Sequence, residues 1–154
     1  MWRLRKFRGL SPARRRRLLE MVVLLGIIQI ALRVLPFRVV RRLLAGLAQP
    51  RRRSARVGLD PVAVESVVWA ATAAGRRMLG DHPCLPRALA VHFVLTRCGY
   101  LAQLRIGVAK DPAGRLQAHA WVESGGVIVV GGPASFVAHY APLPNLDGAM
   151  PWGR

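Results

Sequence analysis

Apolar residues recur at helical spacing through the first two thirds of the chain and, from Gly99 onward, at every second position. The first stretch, SPARRRRLLEMVVLLGIIQIALRVLPF, opens with Ser11 as an N-cap and Pro12 as the first helical residue, and Pro36 closes it. One long helix is predicted there. A shorter one follows in FRVVRRLLAGLA, with Val39, Val40, Leu43, Leu44 and Leu47 at helical spacing and Arg38, Arg41 and Arg42 mostly on the other side. After the linker QPRRRSARVG, Asp60 and Pro61 repeat the cap-and-proline start for a helix through VAVESVVWAATAAGRRML that ends at Gly80. DHP then turns the chain into a last helix from Cys84 to Arg97, stopped by Cys98-Gly99.

Beyond Gly99 the alternation predicts three strands. YLAQLRIGVA is the first, KDPAG a turn, RLQAHAWVE the second, SGG a hairpin turn and VIVV the third. In the second strand the two-residue period puts Gln117, His119, Trp121 and Glu123 on one face and Leu116, Ala118, Ala120 and Val122 on the other. The remainder, GGPASFVAHYAPLPNLDGAMPWGR, is rich in Gly and Pro and is expected to hold at most a helical turn. Helices followed by an antiparallel meander define an α+β domain.

Charge changes this picture in one respect. The chain has 154 residues, room for one compact domain and an appendage, and a formal charge of +17, which raises nucleic acid or an anionic membrane as partners. Residues 1–56 hold 16 of the 24 Arg and Lys with one acid, Glu20, whereas residues 57–154 hold 8 basic and 6 acidic side chains. The expected organisation is therefore a basic N-terminal helical segment with its linker, 1–56, and a nearly neutral domain, 57–154. The uninterrupted apolar run Met21–Ile28 is too short to span a bilayer, and Glu20, Gln29 and Arg33 flank or interrupt the wider stretch. No A-x-A cleavage site follows it, and Leu18, Leu19 and Glu20 after the arginine run do not fit a twin-arginine signal. Packing of this helix on its own body or on a protein partner is the favoured expectation, with peripheral membrane contact as the other. The linker arginines lack interleaved aromatic residues or a base-reading motif, so no nucleic acid is expected.

Two cysteines without a C-x-x-C point to reduced thiols and a cytoplasmic protein. Cys98 beside Gly99 reads as a packing residue. Cys84 stands apart, because proline precedes it and a helix starts at it, and the unpaired N–H groups of a helix N-terminus favour a thiolate. By itself such a cysteine is more often a small buried side chain than a nucleophile. His119 has two readings of its own: a satisfied structural histidine, or a base that faces a helix terminus packed over the sheet edge and takes the thiol's proton. His82, Cys84, Cys98 and His119 are ligand types, but H-x-C with a distant cysteine matches none of the usual zinc spacings, so neither a metal nor another cofactor is expected. His92 and His139 read as structural, Trp121 as core or pocket wall, and Arg87 as either a solvated side chain or one that steers an acidic peptide.

CLPRALAVHFVLTRCG, then LRIGVAKD, then AHAWVESGG resemble, in order and spacing, the transglutaminase-like leader peptidases of lasso peptide biosynthesis, and RRRRLLEMVVLLGIIQIALRVLPF is similar to the helical segment that precedes the core in that family. The blocks C-L-x-R-[AS]-L and A-H-A-W-V-E carry the resemblance together. It implies a papain-like, transglutaminase-like cysteine peptidase core, in which a helix bearing the cysteine packs on a small antiparallel sheet bearing histidine and, on the next strand, aspartate. It also implies removal of the leader from a ribosomally made precursor peptide, a separately encoded leader-recognition protein and an ATP-dependent lasso cyclase as partners, with Cys84 as nucleophile and His119 as general base and acid. Alternatives are a catalytically degenerate peptide-binding module of the same fold, and a basic membrane or nucleic-acid adaptor built on residues 1–56.

The chain departs from the family at the third member. With a hairpin turn within Ser124–Gly126, the residue across from His119 is Val130, Gly131 or Gly132, none of them an acid. Three substitutes are open: a backbone carbonyl near Gly131, Asp147 folding back from the tail, or a group from a partner protein. Glu123, four residues along the strand at roughly 13 Å, is too far. The backbone N–H of Cys84 is the expected oxyanion donor.

Overall fold

The computed structural model describes residues 11–48, 60–78 and 84–144. Four helices form as their caps dictate. Helix α1 (Pro12–Val34) is capped by Ser11, whose hydroxyl accepts from the Arg14 N–H at 3.4 Å, and the Leu35 N–H closes it on the Ala31 carbonyl just before Pro36. Helix α2 (Phe37–Leu47) starts directly after that proline. Helix α3 (Pro61–Met78) is capped by Asp60, whose Oδ1 accepts from the Val62 and Ala63 N–H groups at 3.0 and 3.3 Å. Helix α4 (Cys84–Arg97) ends where Gly99 turns to φ +88° and the Tyr100 N–H reaches back to the Leu95 carbonyl at 3.0 Å. The expected stop of α3 at Gly80 falls outside the described residues.

Strand β1 (Ala102–Lys110) pairs antiparallel with β2 (Leu116–Ser124) in unbroken register from Ala102↔Ser124 to Lys110↔Leu116. The Asp111 carboxylate organises the turn between them, accepting from the Ala113 and Arg115 N–H groups and the Arg115 guanidinium at 2.8–2.9 Å; these bonds, the Arg115 backbone foremost, hold its carboxyl below the usual range. The second turn is Gly125-Gly126, both at positive φ, which sets Ser124 opposite Val127 at the start of β3 (Val127–Val130).

The tail contains the expected helical turn, α5 (Ala134–Val137), and one element the pattern did not predict. Strand β4 (Ala141–Pro142) adds to the free edge of β1 through Gly107↔Pro142 and Val108↔Ala141, giving the sheet order β3-β2-β1-β4. Two residues, one of them a proline, carry no alternation, and proline is admissible only at an edge, so tertiary pairing rather than propensity makes this strand.

The helices cover one face of the sheet. Leu104 from β1, Ala120 and Val122 from β2 and Val130 from β3 share a core with Val67, Ala70, Ala71 and Ala74 of α3 and with Ala88–Val91 and Leu95 of α4. The small residues of α3 let α1 lie close, and Leu18, Met21, Leu25 and Ile28 of α1 enter the same core. The expected boundary near residue 56 lies outside the described residues, but helices on both sides of it bury side chains in that core. Among the described residues no helix is long and apolar enough to cross a membrane.

Leu25 is fully buried while Val23, two residues earlier, is 60% exposed. Leu25→Ala is expected to cost about 2–4 kcal/mol of unfolding free energy in a urea titration, and Val23→Ala within about 0.5 kcal/mol. Equal effects would mean that α1 is not part of the core.

Candidate active site

Cys84 is the first residue of α4 and is half-buried. One turn on, Arg87 lines a cavity of about 350 Å³ with Val68 and Thr72 of α3 and with residues 128–132, including Gly131 and Gly132. Arg87 is half-buried there. Burial lowers its pKa from the usual guanidinium value, the neighbouring Cys84 acts in the opposite direction, and Arg76 adds to the lowering.

His119 sits in β2 directly opposite Gly107. A Cβ at Gly107 would come within 2.9 Å of both the Trp121 ring and Tyr140, so glycine there lets aromatic side chains lie across β1. The imidazole is enclosed by three rings: Trp121 stacked at 6.3 Å between centroids, Phe136 edge-on at 5.2 Å and Tyr140 tilted at 5.1 Å. Its Nε2–H donates to the Gly131 carbonyl oxygen at 2.6 Å. A carbonyl only accepts, so this bond assigns the proton of the neutral ring to Nε2 and leaves the lone pair on Nδ1.

The position of that carbonyl follows from how β3 ends. A bulge between Val122 and Glu123 shifts the register so that Val130 pairs with Val122, and the strand stops there. Gly131 and Gly132 then turn away at φ +126° and +110°. A Cβ at Gly131 would overlap the Cβ of Trp121, so the position demands glycine on both steric and torsional grounds. No β3 residue stands across from His119. Of the three expected substitutes for an acid, the backbone carbonyl of Gly131 is the one observed; Asp147 lies outside the described residues. Glu123 is engaged elsewhere, accepting from Trp121 Nε1 at 2.7 Å and from Arg105 at 3.4 Å.

The first turn of the cysteine helix and His119 both border this end of β3. The helices pack on the face of β2 that carries Ala120 and Val122, and strand alternation puts His119 and Trp121 on the other face. Arg87, in the first turn after Cys84, borders Gly131 and Gly132, while His119 bonds Gly131 from the aromatic side. Among the described residues no hydrogen bond joins the Cys84 thiol to the imidazole, and Nδ1 is not hydrogen-bonded. Cys98 is exposed at the end of α4 rather than packed. His139 donates from Nδ1 to the Ser135 carbonyl at 2.7 Å, a local structural bond. Among the described residues no group of three or more His, Cys, Asp or Glu could hold a metal ion; His82 lies outside them.

A model of the transglutaminase-like superfamily matches residues 28–145, about three quarters of the sequence. The chain belongs to the transglutaminase-like superfamily. This superfamily includes cysteine peptidases. No curated protein and no solved structure matches the chain significantly. The match begins inside α1 and runs through β4, so the transglutaminase-like domain takes in the whole sheet and the C-terminal end of α1. Three neighbours of His119 escaped the sequence pattern. Gly107 was detectable as a glycine inside a strand, a mark of close approach, whereas Phe136 and Tyr140 lie in the tail, where no periodicity singles them out.

The assigned proton position is checkable. In ¹⁵N–¹H correlation spectra above the pH at which the ring becomes neutral, His119 is expected to show the Nε2–H tautomer. The Nδ1–H pattern would show that Gly131 does not hold it.

Proposed function

We propose that this protein is a cysteine peptidase that removes the leader peptide from a ribosomally made lasso peptide precursor before macrolactam formation. The observation that carries the reading is the Nε2–H bond to Gly131, which frees Nδ1 as a base beside the strand end bordered by the Cys84 helix turn. The CLPRAL and AHAWVE blocks and the superfamily's cysteine peptidases support it. Cys84 attacks the scissile carbonyl, His119 takes the thiol proton at Nδ1 and returns it to the leaving amine, and water hydrolyses the acyl-enzyme. The Cys84 backbone N–H stabilises the oxyanion. Among the described residues no hydrogen bond joins the thiol to the imidazole, so substrate or the leader-recognition protein completes the pair; catalytic hydrogen bonds are commonly long in a free enzyme. The freed core amine passes to the ATP-dependent cyclase.

A second reading rests on specific observations: among the described residues no acid bonds His119, and strand alternation puts His119 on the face of β2 opposite the one packed on α3 and α4. It makes the chain a peptide-binding module that keeps the fold and lacks the reaction. Incubating a precursor peptide and its leader-recognition protein with wild type, Cys84→Ala and His119→Ala, followed by mass spectrometry, separates the two. The peptidase gives a cut at the leader–core junction that falls at least about 10³-fold in both variants, with unchanged circular dichroism. Precursor binding without a cut in the wild type would establish the module instead.

A further inference from the structure

Helix α1 is apolar on two opposite faces. Leu18, Met21, Leu25 and Ile28 are buried in the core, while Leu19, Val23, Ile27, Ile30 and Val34 form a second stripe, 51–75% exposed, along the other side. The spacing of this stripe, four or three residues per step, keeps it straight down the helix. Helix α2 continues it with Val39, Leu43 and Leu47, which are also exposed. A helix that is apolar all round is ordinarily covered all round, and a contiguous exposed apolar patch of this kind marks a contact surface.

Charge selects the occupant. Exposed Arg33 follows the uncharged stretch 21–32, and exposed Arg38 and Arg42 run beside the α2 stripe, one turn apart. The only acid on either helix, Glu20, is already paired with Arg16 at 2.8 Å. Two copies meeting through this face would set arginines against arginines. A partner must therefore offer apolar depth and a fringe of negative charge, and guanidinium groups flanking a hydrophobic stripe match the phosphates and acyl chains of a lipid interface. The uncharged stretch 21–32 rises roughly 18 Å as a helix, well short of a hydrocarbon core of about 30 Å, so the helix lies on the surface rather than crossing it. We propose that the exposed face of α1 and α2 docks the protein on an anionic bilayer surface. This inference does not depend on the peptidase reading.

Co-sedimentation of the full-length protein tests it, with vesicles of phosphatidylcholine alone and with about 30 mol% phosphatidylglycerol. The protein is expected to partition at least about tenfold more strongly onto the anionic vesicles. Ile27→Asp combined with Ile30→Asp, and separately Arg38→Glu combined with Arg42→Glu, are each expected to reduce that partition about tenfold or more without lowering the melting temperature, because all four side chains are exposed. Equal binding to neutral vesicles, or full binding by the Ile27/Ile30 variant, would overturn the proposal. So would a wild-type dimer in light scattering that the same variant dissociates, since a second copy would then be the occupant.

Discussion

Strand β2 is covered on both faces, and the rest of the site depends on that. Its even-numbered residues, Ala120 and Val122, meet the helices, and its odd-numbered ones, His119 and Trp121, meet an aromatic layer contributed by the tail. A slip of one residue against β1 would exchange the two sets, placing an imidazole and an indole in the helix core and alanine and valine among the rings. The unbroken pairing from Ala102↔Ser124 to Lys110↔Leu116, held at one end by the Asp111 turn and at the other by Gly125-Gly126, forbids that slip. The bulge at Val122/Glu123 then ends β3 early, and only because it ends there can the Gly131 carbonyl turn in to hold His119.

That bond separates two duties that a carboxylate usually performs together. An aspartate beside a histidine fixes the ring's tautomer and stabilises the imidazolium formed when the ring takes a proton. The Gly131 carbonyl performs the first with a dipole and contributes to the second only weakly, since it carries no net charge. The rings of Trp121 and Tyr140 pack around the imidazole and add no net charge. A site built this way fixes the ring's orientation and gains little from charge.

Much of this architecture was legible in the sequence because its determinants are local. Ser11-Pro12, Asp60-Pro61 and the Gly99 stop announce helix ends through the hydrogen bonds they make, and Gly125-Gly126 announces a hairpin through its torsions. That no acid stands across from His119 on β3 was legible too, although loop length put Val130, Gly131 or Gly132 there and the bulge leaves no β3 residue at that place. What was not legible is long-range. Three acceptors for the imidazole were compatible with the chain, and the one observed depends on a bulge that shifts register without a sequence mark. Strand β4 and the rings of Phe136 and Tyr140 depend on where the tail returns, which no periodicity encodes. The packing of the cysteine helix on β2 is a further case. Alternation gave the two faces of β2 correctly, but only packing decides which of them the cysteine helix covers.

Helix α1 links the remaining parts of the molecule. Its buried stripe packs into the core that also holds Ala88–Val91 of α4, the helix that begins at Cys84. Its other stripe faces outward. A contact made on that outer side therefore bears on a rigid element that shares its inner side with the cysteine helix, and closely packed interiors transmit displacements rather than absorb them. The N-terminal helix thus shares one core with the helix that begins at Cys84.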